Sequence, residues 1–65
     1  MKDFRVIRKS SKSSEVIELI VSDLQDCTEY MDMMESYHGE CLRDGNLLAA
    51  KDRDGTILIY EMVRV

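Results

Sequence analysis

The chain alternates between two hydrophobic rhythms. In FRVIRK, residues 4–9, β-branched and aromatic side chains cluster as they do in a strand. SSKSS at 10–14 is a polar connection. EVIELIV at 15–21 sets Val16 and Ile20 among Glu18 and Ser22, and its four β-branched residues favour a second strand. The two strands form a hairpin with a five-residue connection.

The rhythm then changes. From Leu24 the apolar positions fall at 24, 27, 31, 34, 38 and 41, the three-four spacing of an amphipathic helix. Ser22 or Asp23 offers an oxygen to cap its first turn, and Gly39 is a natural stop. DGN at 44–46 is a turn. NLLAAKD (46–52) and TILIYEMVRV (56–65) return to strand-like composition and are joined by DRDG, where Asp-Gly favours a hairpin.

The pattern predicts an α+β domain over residues 1–65 in the order β-β-α-β-β. Four mainly antiparallel strands carry one amphipathic helix on one face. The helical spacing also extends backwards through Ile17 and Ile20, so a β-α-β-β chain with one long helix over 14–38 competes with it.

With Met31 at the centre of a helical wheel, Leu24, Cys27, Tyr30, Met34, Tyr37, His38 and Cys41 share one broad face. Asp26, Glu29, Asp32 and Glu40 share the other. Met33 falls among the acids, where an unbranched, adaptable side chain can seat in a partner's pocket. On the last strand Ile57, Ile59, Val63 and Val65 point one way with Glu61 between them, and Leu58, Tyr60 and Met62 point the other. Both faces are apolar and one helix covers only one, so a second subunit is expected on the other. Leu58, Tyr60 and Met62 are the expected homodimer contact.

Length sharpens this expectation. A chain of 65 residues buries only about 60 % of its unfolded surface. Chains this short usually add a disulfide, a metal or a second subunit. If Cys27 and Cys41 both lie on the helix, they are roughly 21 Å apart, against the roughly 7 Å that a disulfide tolerates. They read as reduced and the protein as cytoplasmic. The N-terminus lacks the apolar core of a secretory signal, and no apolar run reaches the roughly 20 residues of a membrane span.

Charge is segregated along the chain. Residues 1–13 hold Lys2, Arg5, Arg8, Lys9 and Lys12 against Asp3 alone, a net of +4. Residues 22–44 hold seven acids against Arg43, a net of −6. The five N-terminal cations are the candidate nucleic-acid contact, through ion pairing to phosphates. On a strand they divide between two faces.

No pattern of residues indicates catalysis, a cofactor or a metal. Cys27, His38 and Cys41 lack the fourth ligand and the close cysteine pair of a structural zinc site. A Cys41–His38 dyad has no orienting group or cleft. DRDG lacks the first aspartate of a calcium loop. The helix carboxylates sit at solvated positions, where nothing separates their pKa values. No glycine-rich phosphate loop is present.

The expected function is therefore a non-catalytic interaction module that binds a larger protein and modulates or inhibits it. Asp26, Glu29, Asp32, Met33 and Glu40 form the expected partner surface. In size and overall character the chain resembles the accessory proteins of bacteriophages and other mobile elements, many of which inhibit host or defence enzymes. The alternative is a nucleic-acid-binding protein using the basic N-terminal hairpin.

Overall fold

The computed structural model describes residues 1–65 as five strands and one helix. In chain order these are β1 (Phe4–Ser10), β2 (Ser13–Ser22), α1 (Leu24–His38), β3 (Cys41–Asp44), β4 (Leu47–Lys51) and β5 (Ile57–Arg64). All pairings are antiparallel and the strand order is β2-β1-β5-β4-β3. The helix packs on one face of the sheet. No helix is long and apolar enough to cross a membrane.

The α+β architecture with a single covering helix agrees with the sequence pattern, but the sheet has five strands rather than four. Cys41–Asp44 is the additional strand, paired with β4 from Cys41↔Ala50 to Asp44↔Leu47. Its four residues are too few to show a period. Cys41 also falls in step with the helical spacing and so reads as part of the helix. Gly39 ends the helix at φ 73°, a backbone angle that glycine adopts without steric cost. Beyond it Cys41 returns to the core from a strand. Gly45 at φ 59° then opens the two-residue turn into β4.

The long-helix alternative over 14–38 is overturned, because Ser13–Ser22 is a ten-residue strand. The first hairpin is also tighter than its serine content suggests. Ser10 pairs with Ser13, leaving Ser11 and Lys12 as the turn. The Ser10 hydroxyl accepts from the Lys12 N–H at 3.2 Å. Between Val6 and Ile7 the register slips past Leu19. This bulge lets Leu19 and Ile20, neighbours in sequence, both pack against the core.

The helix begins where its cap predicts. The Asp23 carboxylate accepts from the Asp26 N–H at 2.8 Å, satisfying one of the four donors that a helix start leaves unpaired. Cys27 and Met31, one turn apart, are fully buried and meet Val6, Leu48, Ala50, Leu58 and Tyr60 across the sheet. Phe4, Tyr30, Met34, Cys41 and Met62 close the rim. Burial pushes the Cys27 thiol above its usual pKa, and Asp23, Asp26 and Asp3 add to the rise against a hydrogen bond from the Ser22 backbone. Both cysteines are free.

Candidate functional site

The helix presents two different surfaces. Its inner stripe is the core just described. Its outer stripe runs Asp26, Glu29, Met33, Tyr37, positions spaced by three or four residues and all exposed. Met33 is 54 % and Tyr37 77 % exposed. Tyr37 is therefore not the core-edge residue that the wheel suggests. It sits in the last helical turn, at the end of the sheet beside Lys51, Asp52 and Arg53, and its ring meets that of His38 edge to face at 5.2 Å. Leu24, at the other helix end, is half exposed.

The acids of the expected partner surface separate into three situations. Asp26 and Glu29 stand on the outer stripe, held by short-range bonds from Ser22 Oγ at 2.7 Å and Gln25 Nε2 at 3.4 Å. Asp32 is tied down: Arg43 Nη1 on β3 bonds Asp32 Oδ1 at 2.9 Å and Glu35 Oε1 at 3.0 Å. Glu40 is not on the helix, since it follows the Gly39 cap in the turn before β3. The Arg43 guanidinium clips the edge strand to the helix. With β3 hidden in the sequence, nothing there points to this contact.

The expected dimer residues lie on the covered side. Leu58 is 9 % and Tyr60 2 % exposed, and Met62 packs against the same core. They face the helix, Leu58 and Tyr60 buried and Met62 half-buried, rather than the open side of the sheet where a second subunit is expected. The uncovered face of β5 is instead Ile57, Ile59, Glu61 and Val63. Glu61 is the signal that separates the two sets, because a lone acid on a central strand belongs on the side away from the core.

At the helix C-terminus His38 Nε2 and Tyr60 Oη are hydrogen-bonded at 2.8 Å. Burial raises the Tyr60 hydroxyl above its ordinary pKa, opposed by the nearby Arg8. Cys41 Sγ donates to the Glu35 carbonyl at 3.5 Å. His38 and Cys41 are thus each engaged within the fold. No three metal-ligating side chains converge in the structure.

The five N-terminal cations do not form one ribbon. Arg5 and Lys9 lie on the uncovered sheet face, and Arg5 pairs with Glu18 at 3.3 Å. Arg8 turns to the helix side, opposite Tyr60. Its Nε is buried without a partner. Lys12 sits in the hairpin turn and pairs with Asp54. This lysine, with the hydroxyl and N–H of Thr56, holds the Asp54 carboxyl well below the usual carboxylate range. Lys2 precedes β1 and is exposed.

No family model, curated protein or solved structure matches this chain.

Proposed function

We propose that this chain is a small non-catalytic interaction module that binds a larger protein and modulates or inhibits it, in the manner of phage and mobile-element accessory proteins. One observation carries the reading. Met33 and Tyr37, a turn apart on the outer stripe of α1, are the exposed apolar centre of a surface bordered by Asp26 and Glu29. Methionine and tyrosine are enriched at interface centres, while charged residues are depleted there and fall at the rim. The thioether adapts to an irregular pocket. The bordering carboxylates favour a partner with a cationic rim and speed its approach.

The experiment is affinity capture from bacterial lysate with nuclease-treated and untreated halves, washed at low and then high salt. The retained protein is then titrated against wild type and Met33→Glu. One protein held in stoichiometric amount through nuclease and high salt is the expected result. Met33→Glu is expected to weaken it at least about tenfold, the scale of a central interface residue, with an unchanged melting temperature. Binding that ignores Met33→Glu contradicts the reading. Material lost to nuclease or salt moves the function to Lys2, Arg5, Arg8, Lys9 and Lys12, because phosphate contacts weaken steeply with salt.

A further inference from the structure

The sheet face opposite the helix carries an ordered pattern of its own. Strand register places Leu42, Ala49, Ile59, Lys9 and Val16 in one row across all five strands. The next row is Asp44, Leu47, Glu61, Ile7 and Glu18. Ile57 lies beside Lys51 at one end of the face, and Val63 beside Arg5 at the other. Leu42 is 79 % exposed, and Val16, Leu47 and Ile57 also stand in solvent.

Four charged side chains of this face, Lys9, Lys51, Asp44 and Glu61, make no ion pair within the chain. They are two cations and two anions. A surface built for nucleic acid would be cationic throughout, and one built for an acidic or a basic protein would lean to one sign. Equal numbers of both signs set among aliphatic residues suit a surface that meets its own copy, provided that a twofold rotation brings cation to anion.

One rotation does so. An axis in the interface, perpendicular to the strands and crossing β5 at Tyr60, lays Ile59 over Glu61 of the second copy and Ile57 over its Val63. Lys9 is the cross-strand neighbour of Ile59. It therefore comes beside the second copy's Glu61, about one strand spacing of 4.8 Å away laterally. The two side chains are long enough to meet across sheets packed about 10 Å apart. The same contact occurs twice by symmetry. The rotation about an axis along β5 fails, because it stacks Glu61 on Glu61 and Asp44 on Glu18, and like charges facing across an interface are costly.

The size is also appropriate. The molecule measures 36 × 24 × 15 Å, so its thin dimension is one sheet plus one helix and its broad side is the sheet. That broad side matches the roughly 800 Å² per partner of a standard specific interface. We infer that the uncovered face of the β2-β1-β5-β4-β3 sheet binds a second copy of this chain, forming a four-layer α/β/β/α dimer. Lys9 of each copy pairs with Glu61 of the other. The dimer leaves the outer stripe of α1 free on both sides, so this inference does not rest on the proposed function.

Sedimentation equilibrium across a concentration series tests it, with circular dichroism confirming that each variant is folded. Wild type is expected to move from the 7.5 kDa chain mass toward twice that value. Lys9→Glu and Glu61→Lys each place like charges across the interface, and each is expected to weaken association at least about tenfold. An equimolar mixture of the two variants restores both pairs. The new carboxylate at position 9 of one chain meets the new ammonium at position 61 of the other, and the second junction is native. The mixture should dimerise as wild type does, which no pairing within one chain can mimic. A wild type monomeric at high micromolar concentration overturns the inference. So do single variants that associate like wild type, or a mixture no tighter than either variant alone. Should a charge reversal unfold the chain, the wild-type mass and the neutral Lys9→Gln and Glu61→Gln pair still decide the question.

Discussion

On β5, Leu58, Tyr60 and Met62 turn toward the helix, while Ile57, Ile59, Glu61 and Val63 turn away. The two sets are nearly equal in apolar content. Their neighbours make them different. The covered side gathers Val6, Leu48 and Ala50 under Cys27 and Met31, with Arg8 and, at the strand end over the Phe4 ring, Arg64 the two charged side chains among the strand positions on that side of β1 and β5. The uncovered side sets Arg5, Lys9, Lys51, Asp44, Glu18 and Glu61 between its aliphatic residues. Hydrophobicity makes a face able to pack; the placement of charge decides whether it packs permanently inside one chain or on the surface of another.

The sharpest way to probe the contrast within the helix is to compare two of its methionines. Met31 is fully buried and Met33 is exposed. Truncating Met31 to alanine is expected to cost about 2–5 kcal/mol, a large share of what so small a domain has. Met33→Ala should stay within about 0.5 kcal/mol of wild type. Urea unfolding of the two variants checks this, and similar losses would mean that the helix is rotated from the orientation described.

A smaller effect is expected at the rim of the covered face. Arg43 fastens β3 to the helix through Asp32 and Glu35, with its own side chain 18 % exposed and the acids more open. Arg43→Met should lower stability by about 1 kcal/mol, allowing for screening of the exposed carboxylates. Amide exchange should quicken in β3 before the other strands. Uniform exchange across the sheet would show that the clip is energetically silent.

Much of this architecture is legible in the chain itself. The helix and its Asp23 cap, the strand over 15–21 and the DRDG hairpin follow from spacing, β-branching and turn chemistry. The fifth strand is not legible, because CLRD is too short to display a period and Cys41 continues the helical count by coincidence. That coincidence also places Glu40 on the helix and hides Arg43 as the partner of Asp32. At the candidate site, the exposure of Met33 follows from the wheel. That of Tyr37 does not, because the wheel gives a direction and not how far the sheet extends beneath it. The face of β5 is the costliest ambiguity. Alternation separates 57, 59, 61 and 63 from 58, 60 and 62 but does not say which set is covered, and only Glu61 carries that information.

Adjacent residues of β5 decide most directly which face of the sheet the helix covers. Leu58→Asp and Ile59→Asp differ by one position and by the face they enter. Circular dichroism with thermal melting of both is the measurement. Leu58→Asp is expected to lose cooperative folding, since it buries an unpaired charge beneath the helix. Ile59→Asp should keep the wild-type spectrum and a cooperative transition. A folded Leu58→Asp beside an unfolded Ile59→Asp would show that the helix lies on the other face of the sheet.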